Sequence, residues 1–286
     1  MASNREQDRF RKWFEPGIAV LQRGVEKARS IRFSGQPQRT VNMLTDLIAE
    51  TSGVAADEYL ERGVALRELG NITAAEQDFV SALNSAEKSQ DEGQKISALT
   101  GLMDVYRVTK KLDKAVDCAL QARLLVESQS SKENIPTISY FTNTALISIA
   151  LNTWDIAKTQ IRTAESLYGA AHQRLRSPQG QDAVARLFHV AGRIEEYFDN
   201  LSAAQDYQSA AYVLYEKLGG ARGMGNAAFS SGEIAVKRGR NIEAQEWFEK
   251  ALAAYGLCEP NDSGIILETI QEVHKKIDEL GNLPQS

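Results

Sequence analysis

Two cysteines, three histidines and six prolines among 286 residues exclude several designs at once. Cys118 and Cys258 are too few for a disulfide framework, and Cys118, flanked by Ala115, Val116, Ala119 and Leu120, reads as a small core residue. His172, His189 and His274 fall in separate segments, and neither cysteine has a histidine or second cysteine at ligand spacing, so no metal is expected. No nucleophile, base and acid recur at a recognisable spacing, which makes a non-enzymatic function without a cofactor the expectation. No apolar run nears the ~20 residues that a membrane-spanning helix needs. The opening MASNREQDRFRKWF is charged and has neither the apolar stretch nor the cleavage site of a secretory leader, so cytoplasmic residence is expected. A net charge of −5 lacks the basic excess of a nucleic-acid binder, and direct nucleic-acid binding is not expected. Gly219, Gly220, Gly223 and Gly225 precede a helical pattern, but no strand leads into them and no Gly-Lys-Ser/Thr follows, so they read as a linker.

Long strand-like alternation is also missing, and what fills the chain instead is a spacing. Gly63, Gly70, Ala75, Phe79 and Ala82 return as Gly232, Gly239, Ala244, Phe248 and Ala251 without a slip. A small residue, a turn glycine, an alanine, an aromatic and another alanine describe two antiparallel helices whose backbones approach closely. Weaker copies stand at Met103, Lys110, Ala115, Ala119 and Ala122, at Ala145, Asn152, Ala157, Ile161 and Ala164, and at Gly192, Asp199, Ala204, Gln208 and Ala211. Five helix pairs follow, and because each unit packs on its neighbours, an extended array is expected. The segment from Gly169 to Asp182 stretches the spacing, through either longer helices or a true loop.

Residues 1–54 do not fit this frame as read from their identities, and they are assigned to an N-terminal helical cap. Residues 55–258 hold the five repeats, and residues 259–286 a capping helix with Ile266, Ile270, Val273 and Ile277 on one face, followed by a tail. The first 40 residues carry nine Lys or Arg against four acids, so they form a basic zone on an acidic body. Within it Phe10, Trp13 and Phe14 alternate with Arg9, Arg11 and Lys12, the pattern of a docking segment.

The frame resembles the tetratricopeptide-repeat family, in the variety with repeats of about 40 residues found in signalling and adaptor proteins. That resemblance implies an all-α, right-handed α-solenoid of antiparallel helix pairs with helical caps, whose first helices line a concave groove for a protein or peptide partner. The function so implied is an adaptor or scaffold, with a peptide-responsive regulator or a subunit of a larger complex as alternatives. In the family's chaperone-binding members a clamp of lysine and asparagine holds a carboxylate, but here the matching positions of the first repeat are Leu60 and Val64, and later repeats do not restore it. Arg67, Arg107, Asn143, Arg193, Asn226 and Lys237 are the candidate groove residues, the cations for acidic groups and the amides for a peptide backbone.

Burial of Phe10, Trp13 and Phe14 on the body would contribute roughly 1.5 to 3 kcal/mol per ring. If they serve a partner, deleting residues 1–14 is expected to leave the melting temperature almost unchanged. A drop of many degrees in thermal denaturation would place the rings in the cap.

Overall fold

The computed structural model describes residues 22–50, 56–132, 134–171, 174–258 and 265–281. Among the described residues there are thirteen α-helices and no strand. They are α1 (22–33), α2 (Pro37–Glu50), α3 (Ala56–Glu68), α4 (Ile72–Ser89), α5 (Glu92–Val108), α6 (Leu112–Ser128) and α7 (Ile135–Ala150). The series continues with α8 (Trp154–Ala171), α9 (Pro178–Tyr197), α10 (Leu201–Leu218), α11 (Ala221–Lys237), α12 (Asn241–Gly256) and α13 (Ile265–Gly281). The chain is an all-α solenoid in which α3, α5, α7, α9 and α11 are the first helices of the five repeats and α4, α6, α8, α10 and α12 the second. Phe10, Trp13 and Phe14 lie outside the described residues.

The frame read from the sequence is the frame of the backbone. Its turn positions Gly70, Lys110, Asn152, Asp199 and Gly239 all take a left-handed conformation, with φ from 59° to 78°. Each turn closes with the same two bonds. The Gly70 amide donates to the Arg67 carbonyl at 3.0 Å and the Asn71 amide to the Leu66 carbonyl at 2.8 Å, and Lys110 with Lys111, Asn152 with Thr153 and Asp199 with Asn200 repeat that pairing. Where glycine is absent, the requirement to reverse the chain within these bonds overrides the side chain's preference. After each turn comes the helix crossing, where Ala75, Ala115, Ala157, Ala204 and Ala244 are all 0% exposed.

The position before the turn is small for the same reason. A Cβ on Gly63 would come within 2.9 Å of the Phe79 ring, and one on Gly232 within 2.5 Å of Phe248. The fourth repeat replaces the ring with Gln208, completely buried beneath Gly192. Its amide is satisfied by one neighbour: His189 Nδ1 donates to Oε1 at 2.8 Å, and Nε2 donates to the His189 carbonyl at 3.1 Å. A polar residue is tolerated at a core position because both of its ends are paired.

One expectation changes, and one alternative left open is decided. The described part of the N-terminal cap, residues 22–50, is itself a helix pair in the frame: Ala28, Gly35, Thr40, Leu44 and Leu47 carry the same intervals as the repeats. Gly35 has φ +78°, its amide donates to the Arg32 carbonyl at 3.0 Å, and the Thr40 hydroxyl donates to the Ala28 carbonyl across the helix crossing, also at 3.0 Å. Threonine and leucine stand where alanine and the aromatic stand elsewhere, which hid the match. The described residues between Gly169 and Asp182 are mostly helical: α8 runs on to Ala171, and α9 starts at Pro178 behind a Ser177 cap whose hydroxyl accepts from the Gly180 amide at 3.2 Å. α9 takes part of the additional length, with 20 residues against 17 in α5, and the α8–α9 connection, residues 172–177, takes the rest, where α4 and α5 are joined through residues 90–91 alone.

The array also curls back on itself. Arg222 at the start of α11 donates to the Glu68 carbonyl at the end of α3, at 3.0 Å, across 154 residues of sequence. The α10–α11 turn meets the α1–α2 turn so closely that a Cβ on Gly219 would lie 2.8 Å from the Phe33 carbonyl oxygen. The expected extended array is therefore a ring whose first and last repeats touch. At the far end Val273 of α13 is 0% exposed against the cluster that holds Phe248 and Tyr255.

Lys110 is an exposed lysine held at φ +59°. A left-handed backbone costs a non-glycine residue roughly 1 to 2 kcal/mol, of which glycine's added chain entropy returns part. Lys110→Gly is expected to stabilise the protein by about 0.5 to 1 kcal/mol, measured by urea denaturation.

Candidate functional site

The concave face gathers a row of arginines at one position of the frame, four residues after the small residue: Arg32 on α1, Arg67 on α3 and Arg107 on α5. The first two reach forward to an acid on the next first helix. Arg32 donates to Glu61 at 2.5 Å and to Glu68 at 2.8 Å, both on α3, and Arg67 pairs with Asp104 on α5 at 3.1 Å. Arg107 has no such step to take, because α7, with the sequence IPTISYFTNTALISIA, contains no charged residue. It turns back to Asp104 on its own helix, at 2.5 Å, and its Nε is buried without a partner.

Beyond α7 lies α9, where Arg186 and Arg193 stand two turns apart on one face. Arg186 donates to the neutral Asn143 amide oxygen at 3.2 Å. Arg193 makes no ion pair among the described residues, since the acids nearest it, Glu196 and Glu233, are taken by Lys237 at 2.7 Å and Lys276 at 3.8 Å.

These helices enclose a cavity of about 240 Å³, walled by α1, α3, α5, α7 and α9. Leu60, Val64 and Ala183 give it an apolar side, and Arg67, Asp104, Asn143 and Arg186 a polar one. Thr100 also lines it, 6% exposed, with a hydroxyl that has no hydrogen-bond partner. Across the cavity Arg29 of α1 bonds Glu61 at 2.9 Å, and the Gln179 amide of α9, with its oxygen turned toward Arg29, accepts from the same guanidinium.

Burial alone would raise the Asp104 carboxyl pKa, but the guanidinium groups of Arg67, Arg107 and Arg186 override it and hold the carboxyl well below the usual range. Burial lowers Arg193 from the ordinary arginine value, and repulsion from Arg107 adds to the effect. His189 is lowered to about 4, by burial first and then by Arg193 and Arg186, with its bond to Gln208 opposing. Neighbouring arginines contribute to all three shifts, adding to burial at Arg193 and His189 and opposing it at Asp104.

Of the six residues singled out from the sequence, the structure brings Arg67, Arg107 and Asn143 to this cavity or to its charged wall. Asn143 is buried, its amide donating to the Ser139 carbonyl at 2.9 Å and holding Arg186. Arg193 stands at the far side of α7. Asn226 and Lys237 do not line the cavity: Asn226 accepts from the Tyr255 hydroxyl at 2.7 Å, and Lys237 pairs with Glu196. Arg29 and Arg32 escaped the sequence reading because the cap was set outside the frame, and Gln179 because it fell in the stretched segment from Gly169 to Asp182. Ala28, Gly35 and Thr40 were the signal that would have found the two arginines.

No protein-family model matches the chain, and no curated protein does. Solved structures do. A Rap protein complexed with competence and sporulation factor superposes with a TM-score of 0.68 at 16% identity, covering 91% of this chain and 73% of that one. BtubC from P. vanneervenii gives 0.52 at 19% identity, covering 87% and 94%. A signal-transduction ATPase with a tetratricopeptide-repeat sensor, from Pyrococcus horikoshii, gives 0.55 at 16%, covering 93% of this chain and 41% of that protein. The fold is a tetratricopeptide-repeat solenoid. No helix among the described residues of this solenoid is long and apolar enough to cross a membrane, and no described histidines, cysteines and acids cluster as a metal site.

Because the Asp104 pKa is depressed in the solenoid, its ion pairs stabilise the fold fully above the unfolded value near 4, and that contribution fades as the pH falls further. Asp104→Asn leaves Arg67 and Arg107 without their shared counter-charge and is expected to cost roughly 3 to 5 kcal/mol at neutral pH. The loss shrinks below about pH 4, so chemical denaturation across that range is expected to show a flatter acid limb in the variant.

Proposed function

We propose that this chain is a non-enzymatic adaptor that binds a segment of a partner protein, or a free peptide, on the concave face of the solenoid. The observation that carries the reading is the cavity walled by α1 and the first helices α3, α5, α7 and α9, with apolar residues on one wall and donors on the other, Thr100 among them still unpaired. Pockets that hold ligands combine an apolar lining with a few placed polar groups in this way. About 240 Å³ holds a few side chains and is too small for a folded domain. The similar Rap structure is a complex with competence and sporulation factor, which shows that this fold can carry a bound factor.

A peptide-responsive regulator is the second reading, favoured by the ring closure. Arg32 lines both the groove and the seam, where a smaller cavity of about 90 Å³ is bounded by Arg32, Phe33, Glu68, Tyr215 and Arg222. An occupant that displaces Arg32 from Glu61 would act on the seam through the same side chain.

A photo-crosslinking residue placed at Val64 or Ser139, inside the groove, is expected to trap the partner from a lysate of the native host. The same group at Leu124, 69% exposed on a second helix, is expected to trap nothing specific. Mass spectrometry of the adducts reads the result, and partner adducts from Leu124 alone would overturn the groove assignment.

A further inference from the structure

Where the first and last repeats meet, the ring encloses a cavity of about 90 Å³ that no single repeat forms: Phe33 comes from α1, Glu68 from α3, Asp182 from α9, Tyr215 from α10 and Arg222 from α11. Closure uses part of its polar lining. Arg32 is held by Glu61 and Glu68, and one Arg222 nitrogen donates to the Glu68 carbonyl. Three features of the wall remain without partners. Tyr215 is 8% exposed, and its hydroxyl makes no hydrogen bond among the described residues. The Asp182 carboxylate makes no ion pair or hydrogen bond among them either. The third is the first turn of α11, which starts behind Gly220 with no capping side chain and leaves the Arg222 and Gly223 amides without an acceptor among the described residues.

Tyr215 connects these features. Its ring lies against the first turn of α11, so closely that a Cβ on Gly223 would fall 2.5 Å from it. Its hydroxyl stands in the field of Asp182 and Glu68, and burial together with those carboxylates, against Arg186 and Arg67, pushes the phenol above its usual range and keeps the O–H protonated. The charges on the wall balance, Arg32 and Arg222 against Glu68 and Asp182. A net anion or net cation is attracted by one pair and repelled by the other, whereas a molecule with both signs can set each end on its opposite.

We propose that the seam cavity is a site for a small zwitterion of the α-amino acid class. Its carboxylate accepts from the Arg222 and Gly223 amides at the positive end of α11, as anions do at helix N-termini, and its ammonium donates to Asp182 and to the Tyr215 oxygen. Phe33 and Leu69 face a short apolar side chain, and about 90 Å³ admits no large one. The bound molecule ties α9 and α10 to α11 beside the closure and so stabilises the ring. This site is separate from the concave groove, although Arg32 and Asp182 line both.

The test adds the common free amino acids, one at a time and at millimolar concentration, to the full chain and follows thermal unfolding. A ligand that binds only the folded state raises the melting temperature, and at least one small apolar amino acid is expected to do so. The best of them is then titrated by calorimetry beside its carboxamide, which lacks the carboxylate, and its N-acetyl form, which lacks the ammonium. Each has lost a charge-assisted hydrogen bond and is expected to bind about tenfold more weakly or worse. Tyr215→Phe keeps the ring on Gly223 and removes only the hydroxyl, and Asp182→Asn removes only the charge. Both are expected to weaken binding by a similar factor, with a circular dichroism spectrum like that of the wild type. Cys258 also lines the cavity, so in the wild type the bound amino acid is expected to slow its labelling by a maleimide.

No melting shift with any amino acid overturns the proposal, and so does a shift produced by inorganic phosphate alone, which assigns the cavity to an anion. A carboxamide or N-acetyl form that binds as well as its parent overturns it as well, since both ends are then not read. Full affinity in both variants, or Cys258 labelling that is unchanged at saturating ligand, places the amino acid outside the seam and overturns it. Should either variant fail to fold, the labelling of wild-type Cys258 decides by itself.

Discussion

Five pairs of helices in this chain cross at an alanine that is completely buried, and three of them also place a glycine against a ring or an amide. Ala75, Ala115, Ala157, Ala204 and Ala244 are completely buried at those crossings, and Gly63, Gly192 and Gly232 lie under Phe79, Gln208 and Phe248 with no room for a side chain. Close packing of this kind is intolerant of added volume, typically by 1 to 3 kcal/mol per misfit. Everything else in the solenoid is arranged around it. The left-handed turns bring the helices to that distance, the repeated crossings set the curvature, and the curvature turns the first helices toward one another.

Curvature is what gives the charged residues their partners. Arg67 and Asp104 lie 37 positions apart in sequence and 3.1 Å apart in space, because one repeat of the solenoid carries an arginine onto the next first helix. The same step joins Arg32 to Glu61 and Glu68. Where α7 supplies no acid the pattern breaks, and Arg107 turns back to the Asp104 that Arg67 already holds. A surplus of donors in a partly buried groove is costly to the protein, because a donor withdrawn from water without an acceptor forfeits its hydration.

Local identity was a good guide where physics demands one residue type, and a poor one where several suffice. Alanine at the crossing has few substitutes, so the frame was visible in five copies. The turn has several, because Lys110, Asn152 and Asp199 adopt the left-handed conformation when two backbone bonds and the packing of both helices hold them there. Thr40 could replace the alanine in the first pair because its hydroxyl found the Ala28 carbonyl, a substitution no spacing rule anticipates. The two amides show the reverse failure. Asn143 and Asn226 stood on first helices as expected, but Arg186 and Tyr255 had already engaged them.

The sequence by itself determined the helix pairs, their register and the face each first helix presents, since these depend on residues within about forty positions of one another and on the narrow choice of side chains at a close crossing. Only the tertiary structure decided that the array closes into a ring, with Arg222 on the Glu68 carbonyl, and which arginines share Asp104 and which have no acid. Those outcomes depend on the summed rotation of many repeats. Small angles accumulate along the chain into contacts across 154 residues, and no local pattern encodes their total.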